Sequence, residues 1–220
     1  IFTQENEGNC GNFFNKFKDN GYFQINTLGD ANMFYKKDRW TNISNCRIKM
    51  TFNQPHNGND GGRYALFGVF QEKSSGKICI LVNAHLCITW CWQGCTTCIG
   101  DQREGHLKDV LKIIKTIEDL RKELQDKFGI SKDTIVGFAG GDLNIPQNEK
   151  SYIRPYIEKK NFSIIGDNIG IDNINFDWFF STKDGYKNLP IIKKTVVYND
   201  KNQPWVNWSD HSGYSINWKF

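Results

Sequence analysis

Proline and long apolar runs are both scarce in this chain of 220 residues. It contains 5 prolines and no low-complexity segment, so the composition predicts an ordered chain rather than a disordered one. No stretch approaches 18 apolar residues, and we therefore expect no membrane-spanning helix. A block of like charges is also absent. The formal net charge is +4, a mild excess that fits a phosphate-bearing partner without requiring one.

The first residues, "IFTQENE", lack the features of a signal peptide. They contain no basic region followed by an apolar segment, and they have the pattern of the middle of a strand that ends at Glu5. We therefore expect a single domain over residues 1–220 whose first strand is missing from the numbered chain. A chain of this length can bury a core without needing a metal or disulfides to fold.

Seven cysteines are present, and four of them crowd into the segment "CITWCWQGCTTC". These four are Cys87, Cys91, Cys95 and Cys98. The segment is either a zinc knuckle or a loop held by disulfides. Its spacing does not match paired C-x2-C ligand sets, and no histidine lies inside it. Glycosylation sequons at Asn42, Asn161 and Asn207 also favour a secretory route. We therefore predict disulfides, glycosylation and a secreted or lumenal protein.

One long helix and many strands are predicted from the hydrophobic pattern. The segment "DQREGHLKDVLKIIKTIEDLRKELQDKFG" has apolar residues at i+3 and i+4 spacing and a stop signal at Gly129. Shorter helices are predicted in "NFFNKFKD" and in "SYIRPYIEKK", with Pro155 early in the latter. The predicted strands are "IFTQE", "GYFQIN", "NMFYKK", "RIKMTF", "YALFGVF", "KICILVNAHL", "TIVGFAG", "INFDWFFS", "KKTVVYN" and "GYSINW". This order indicates an α/β (α+β) protein in which two sheets pack face to face with helices outside.

Polar residues interrupt the apolar strands at or near their ends. They are Glu5, Asn83, His85, Asp142, Asn144, Asp177, Asp210 and His211. Each has an ordinary structural explanation, since Asp and Asn after Gly-Gly are typical of turns. A carboxylate among Phe and Trp, as in "NFDWFF", needs a partner to offset the cost of burial. Because strand ends gather at one edge of a sheet, we expect these side chains to share a cleft.

Taken together and in order, these segments resemble the endonuclease/exonuclease/phosphatase family, with its DNase I-like fold. The matching segments are "TQE", "MFYKKDRW", "GGRYALFGVF", "VNAHL", "GGDLN", "FDWFFST" and "SDH", and they span nearly the whole chain. The resemblance implies a four-layer sandwich of two packed mixed sheets flanked by helices. The strand that precedes "QE" in the family, with its active-site Asn, is missing here.

The resemblance also implies a role for each site residue. Asp177 would orient the catalytic imidazole of His211, and Asp142 and Asn144 would position the attacking water and a phosphate oxygen. His85 and Arg63 would face the phosphate and stabilise developing charge. Glu5 and Asp210 would bind Mg²⁺, or alternatively Mn²⁺ or Ca²⁺. Relatives of the DNase I type pair the first histidine with a Glu ahead of the "FYKK" strand, where this chain has only Asp30.

The first functional hypothesis is a metal-dependent phosphodiesterase, specifically a secreted DNase I-like endonuclease that hydrolyses nucleic acid. The "VNAHL" histidine favours the DNase and sphingomyelinase branches over the abasic-site branch. The inositol branch typically has a Trp before its GD motif, where this chain has Ala139 and Gly140. The alternatives are a sphingomyelinase- or inositol-phosphatase-like phosphohydrolase, and a non-catalytic binding module on the same fold. The oligomeric state is left open.

Overall fold

The computed structural model describes residues 1–4, 11–25, 31–50, 63–86, 102–145, 149–165, 177–183, 191–194 and 214–217. The strands are β1 (Phe2–Thr3), β2 (Tyr22–Ile25), β3 (Asn32–Lys36), β4 (Trp40–Lys49), β5 (Tyr64–Glu72), β6 (Ile78–Ala84), β7 (Val136–Asp142), β8 (Phe162–Ile165), β9 (Asp177–Thr182), β10 (Ile191–Lys194) and β11 (Tyr214–Asn217). The helices are α1 (Gly11–Asp19), α2 (Gln102–Phe128) and α3 (Lys150–Lys159), with one 3-10 turn at Lys132–Thr134.

Two sheets form the centre of the fold. The larger has the strand order β4-β5-β6-β7-β9-β8, and the smaller has the order β1-β3-β2. In the larger sheet β6 and β7 are parallel while the other neighbours are antiparallel. The smaller sheet is antiparallel throughout its described strands. Strands β10 and β11 form a further antiparallel pair. The predicted architecture of packed sheets with helices is confirmed.

Each face of the larger sheet covers a separate apolar cluster. On one face, α2 contributes the stripe predicted from its spacing, including Leu107, Ile114 and Ile117. The other face packs against the smaller sheet through residues such as Met33 and Phe70. Because β6 and β7 are buried on both faces, their sequences are apolar almost without interruption. This arrangement leaves the strand ends as the place where polar side chains can gather.

Helix α2 ends where the sequence predicted. Gly129 has φ 66°, a left-handed conformation that favours glycine, and its N–H donates to the carbonyl of Gln125. Helix α3 runs through Pro155, which removes one backbone donor without ending the helix. No helix among the described residues is both long enough and apolar enough to cross a bilayer.

Several strands differ from expectation. Strand β10 begins at Ile191, two residues before the predicted segment "KKTVVYN". Strand β4 begins at Trp40, well before the predicted "RIKMTF", because its first half is a polar, solvent-facing edge with a register shift between Asn42 and Ser44. Strand β8, with the sequence FSII, was not among the predicted strands. Strand β1 pairs with β3, and no other described strand pairs with it. The expected second neighbour of β1 therefore stays a prediction.

Candidate active site

The ends of four neighbouring strands meet at one edge of the larger sheet. Strand β5 runs antiparallel to β6 and β6 runs parallel to β7, so the start of β5 lies beside the ends of β6 and β7. Arg63 directly precedes β5, and His85 directly follows β6. Asp142 is the last residue of β7, and its backbone lies opposite that of Asp177, the first residue of β9. The sheet therefore places the backbones of four of the predicted residues at one edge.

Arg63 and His85 are in direct contact. A guanidinium nitrogen of Arg63 lies 2.7 Å from Nδ1 of His85, whose side chain is fully buried. Because a guanidinium has donors only, Nδ1 must accept this hydrogen bond. A neutral imidazole then carries its proton on Nε2. The contact thus selects one tautomer of His85, the one whose second nitrogen is a donor.

The Nε2 atom of His85 faces the carboxylate of Asp142. The distance from Nε2 to Oδ2 of Asp142 is 3.6 Å, longer than a strong hydrogen bond. Hydrogen bonds of catalytic groups are often long before substrate binds. Asp142 is also buried, with 6% of its surface exposed. A donor and an acceptor thus face each other across a gap at the strand ends.

Asn144 is fixed beside this gap by the backbone of two loops. Its N–H donates to Oδ1 of Asp142 at 2.9 Å, and its side-chain amide donates to the carbonyl of Leu86 at 2.9 Å. The N–H of Leu86 in turn donates to the carbonyl of Asp142 at 3.0 Å. Asn144 has φ 52°, a left-handed conformation that Asn tolerates better than most residues. These hydrogen bonds fix the chain directly after β7 and align Asp142 and Asn144 with each other.

Gln4 is a positioning residue that the sequence analysis missed. Its Oε1 accepts from the N–H of Asp142 at 2.8 Å, while its Nε2 donates to Oδ1 of Asn83 and to the carbonyl of Ala84. Gly141 makes room for this amide, because a β-carbon there would lie 2.1 Å from Nε2 of Gln4. A polar residue before Glu5 in an otherwise apolar strand was the available signal, and it was too common to be specific.

Asn83 joins the two sheets at the same edge. Its side-chain amide donates to the carbonyls of Thr3 and Asn32 at 3.0 and 2.8 Å. The side chain is fully buried, so this network anchors the smaller sheet to β6. The polar residue that the sequence placed near the end of β6 therefore has a structural role.

A second buried histidine–carboxylate pair was not predicted. Nδ1 of His106, on α2, is 3.1 Å from Oε2 of Glu149, which precedes α3. Both residues are less than a tenth exposed. In sequence, His106 looks like one of several polar positions of a long amphipathic helix, so its burial could not be foreseen. The pair joins the first turns of α2 to the start of α3.

Several predicted residues lie outside the described part of the chain. Glu5, Asp210 and His211 are among them, as are Asp30 and the four clustered cysteines, Cys87, Cys91, Cys95 and Cys98. For Asp177 the backbone alone is described. Within the described ranges no group of three or more His, Cys, Asp or Glu side chains is arranged to hold a metal. The predicted metal ligands, the Asp177–His211 pair and the disulfides therefore stay predictions.

The two described cysteines, Cys46 and Cys79, are both free thiols. Cys46 is exposed on β4 and Cys79 is buried in β6. Burial raises the pKa of the Cys79 thiol, which makes it a packing residue rather than a nucleophile.

Comparison with known proteins identifies the fold. No family model matches the sequence, and no curated protein sequence matches it significantly. The structure is similar to humanized D. rerio TDP2, with a TM-score of 0.65 and 17% identity over 100% of this chain and 84% of that one. A D. rerio TDP2 structure complexed with a single-strand DNA product has a TM-score of 0.53 and 15% sequence identity, over 89% of this chain and 74% of that one.

Two other solved structures agree. An endonuclease/exonuclease/phosphatase family protein from Bacteroides thetaiotaomicron has a TM-score of 0.53 and 16% identity over 77% of this chain and 64% of that one. ANGEL2, a 2′,3′-cyclic phosphatase in complex with adenosine-2′,3′-vanadate, has a TM-score of 0.57 and 11% sequence identity, over 84% of this chain and 74% of that one. The chain therefore has the endonuclease/exonuclease/phosphatase fold, as its motifs indicated.

Proposed function

We propose that this chain is a metal-dependent phosphodiesterase that hydrolyses nucleic acid, in the manner of a DNase I-like endonuclease. The observation that carries the proposal is the convergence of Arg63, His85, Asp142 and Asn144 on one edge of the larger sheet. Fold alone does not specify an activity. A cation, an oriented imidazole and a buried carboxylate at one edge are the groups that phosphoryl transfer requires.

Each described side chain has a task that follows from its geometry. The transition state of phosphoryl transfer spreads negative charge over the equatorial oxygens. Nε2 of His85 would donate its proton as a hydrogen bond to such an oxygen, while Arg63 adds positive charge behind the imidazole. The carboxylate of Asp142, facing Nε2 at 3.6 Å, would accept a proton from the attacking water and so orient it. Asn144, held by Leu86, would bind a second phosphate oxygen.

His211 and Asp177 would complete the proton transfers. The backbone of Asp177 lies opposite Asp142, so an imidazole oriented by Asp177 would adjoin the same gap. We assign His211 the role of general acid or base, with Asp177 fixing its tautomer. This part of the proposal rests on the resemblance of "FDWFFST" and "SDH" to the family's segments.

The proposed metal ligands are carboxylates, the donor type that suits a hard divalent cation. Gln4 is hydrogen-bonded to the backbone N–H of Asp142, and Glu5 is the next residue in the sequence. Carboxylate oxygens are the ligands that Mg²⁺ prefers, and we propose Glu5 and Asp210 as its ligands, with Mn²⁺ or Ca²⁺ as substitutes. When bound, the ion would supply Lewis-acid stabilisation of the phosphoryl oxygens.

Nucleic acid is the substrate that the available observations favour. The net charge of +4 supports a polyanionic partner. Two similar structures carry nucleotide ligands, namely a single-strand DNA product and adenosine-2′,3′-vanadate. A secreted location is also proposed, because of the clustered cysteines and the sequons. Asn161 is exposed, whereas the side chain of Asn42 donates to the carbonyls of Ser44 and Val69, so Asn161 is the better glycan acceptor.

The test is product release from four substrate classes with Mg²⁺ or with EDTA. DNA, RNA, sphingomyelin and inositol phosphates would be compared with the same preparation. We expect hydrolysis of nucleic acid with Mg²⁺ and none with EDTA. Hydrolysis of sphingomyelin or inositol phosphates alone would establish the alternative phosphohydrolase. No hydrolysis of any substrate with Mg²⁺, Mn²⁺ or Ca²⁺ would leave the non-catalytic binding module.

A further inference from the structure

We propose that Arg47 and Tyr64 form a stacking platform that binds single-stranded nucleic acid beside the active site. The platform lies on β4 and β5, next to Arg63. The inference rests on the proposed function, because it extends the same site to the flanking nucleotides of its substrate. It predicts a preference for single strands that the catalytic groups alone do not explain.

The pairing of β4 with β5 places the residues of the platform next to each other. The guanidinium carbon of Arg47 lies 4.9 Å from the centre of the Tyr64 ring. Lys49 is the register partner of Tyr64, and Arg47 is the partner of Leu66. Residues opposite each other in an antiparallel pair share a face, as do alternate residues of one strand. Arg47, Lys49 and Tyr64 therefore occupy one face at the end of the sheet.

This face is both accessible and positively charged. Arg47 and Lys49 are exposed, and Tyr64 is half-buried. The ammonium of Lys112 donates to the backbone carbonyl of Lys49 at 2.7 Å, but Lys112 belongs to α2, which covers the opposite face of the sheet. Residues 44–50 and 63–66 include no Asp or Glu. The end of β4 thus presents cations beside an aromatic ring.

The platform is continuous with the candidate active site. Tyr64 follows Arg63 in the chain, and Arg63 bonds to Nδ1 of His85 at 2.7 Å. A strand whose scissile phosphate lies at His85 would therefore pass its neighbouring nucleotides over the platform. Bases stack on guanidinium planes and aromatic rings when they are unpaired. Lys49, the register partner of Tyr64, would contact a phosphate between those bases.

A single strand fits this surface better than a lipid headgroup or a duplex. An anionic headgroup would use the cations but has no planar group to stack on the Arg47–Tyr64 pair. A duplex keeps its bases stacked on each other, so they cannot reach the pair. The combination of a stacked arginine with a neighbouring lysine is the arrangement expected for unpaired bases linked by phosphates.

The far end of the sheets offers a matched control. Lys37 lies over the ring of Phe23 at 4.8 Å, and both residues are exposed. Strand β3 begins at Asn32, which contacts Asn83 at the site edge, and ends at Lys36, so Lys37 lies beyond its far end. Lys37→Ala removes the same charge from a similar cation–aromatic contact away from the site.

The experiment is fluorescence anisotropy with a labelled single-stranded oligonucleotide in EDTA, over a series of salt concentrations. Loss of a stacked base costs about 1–3 kcal/mol, so Tyr64→Leu should weaken binding by about 5- to 140-fold, whereas Tyr64→Phe, which keeps the ring, should bind like the wild type. Arg47→Ala should weaken binding and lower the slope of log K against log salt by about 0.7. Lys37→Ala should bind like the wild type. Thermal melts of all variants would verify that each is folded.

Three results would overturn the platform. Folded Arg47→Ala and Tyr64→Leu proteins with wild-type affinity would remove it. So would equal losses in Lys37→Ala, which would show a general charge effect. Loss of binding to phosphatidylserine vesicles with oligonucleotide binding intact would assign the surface to a membrane. Hydrolysis assays report separately on the proposed function, because oligonucleotide binding that depends on Arg47 in a protein without activity would contradict the enzyme and not the platform.

Discussion

An arginine and a carboxylate lie near each end of β5, but their contacts differ between the two ends. The site end is the start of β5 at Tyr64, and the far end is its last residue, Glu72. At the far end, Arg39 donates twice to Oε1 of Glu72, at 3.0 and 2.8 Å, and Ser75 donates to Oε2. Both carboxylate oxygens are thus engaged. The pKa of the Glu72 carboxyl lies below its usual range because of the hydrogen bonds from Ser75 and Arg39. The Glu72 carboxylate is thus satisfied by Arg39 and Ser75, and the cluster stabilises the turn at residues 73–75 after β5.

At the site end the arginine does not pair with the carboxylate in this way. Arg63 donates to the imidazole of His85, and the other imidazole nitrogen faces Asp142 at 3.6 Å. An imidazole between the two charges keeps a proton available at Nε2. The difference teaches that the same residue types stabilise structure when they satisfy each other and become candidates for chemistry when a titratable group separates them.

The largest expected effect is at the imidazole of the site end. His85→Ala removes the oriented donor, so turnover of nucleic acid should fall by roughly 10²–10⁴-fold. The matched control is His106→Gln, which alters another buried histidine paired with a carboxylate. Steady-state kinetics should show that this control retains turnover while urea unfolding shows lower stability. Equal losses of turnover in both variants would remove the special role of His85.

Protein stability should also depend on Gly141, whose backbone lies at the site end of β7. Gly141 has φ 136°, and a β-carbon there would lie 2.3 Å from the carbonyl of Ala84. Gly141→Ala should therefore lower the free energy of unfolding by about 3 kcal/mol. Gly129 has φ 66° and open space around it, so Gly129→Ala should lower the free energy of unfolding by about 1–2 kcal/mol. Urea denaturation would measure both. A Gly141→Ala protein as stable as Gly129→Ala would contradict the close packing of Gln4.

The same substitution, Arg to Lys, can be made at both ends of β5, at Arg63 and at Arg39, and its effects can be compared directly. Arg63→Lys keeps a positive charge but loses the planar fork that reaches Nδ1 of His85, so kcat/KM should fall by about 10-fold, or about 1.4 kcal/mol. Arg39→Lys should instead lower stability by about 1 kcal/mol and leave kcat/KM unchanged. Kinetics and urea unfolding would be measured on both proteins. A reversed pattern would mean that the far end, rather than the site end, contributes to catalysis.

The smallest expected effect is a dependence of stability on pH at the far end. A carboxyl whose folded-state pKa is lowered adds stability above its unfolded-state pKa, about 4.3 for Glu. That stability is lost as the pH falls through the folded-state pKa. Glu72→Gln should therefore cost about 1 kcal/mol at neutral pH and less below about pH 4. A difference that does not change with pH would mean that the charge of Glu72 contributes nothing.

Much of this comparison could be predicted from the sequence. The strand ends that carry His85 and Asp142 follow from apolar runs that stop at polar residues, and α2 follows from its helical spacing. The Arg63–His85 contact could not be predicted, because 22 positions separate the residues and Arg63 lies outside any strand. The resemblance implies an acid partner for His85 ahead of the "FYKK" strand, and the described neighbours of His85 in the structure are Arg63 and Asp142. The signal at Gln4 was too common to be specific, and His106 gave none, because only tertiary packing buries it.

The most direct test of the central claim compares the two carboxylates in one assay. Initial rates of cleavage of a labelled single-stranded DNA would be measured for the wild type, Asp142→Asn and Glu72→Gln, each with Mg²⁺ and with EDTA. Both substitutions remove one charge and preserve shape. We predict Mg²⁺-dependent cleavage by the wild type, a loss of about 10²–10³-fold in Asp142→Asn and a wild-type rate in Glu72→Gln. Cleavage by Asp142→Asn at the wild-type rate would contradict the placement of the active site at this edge.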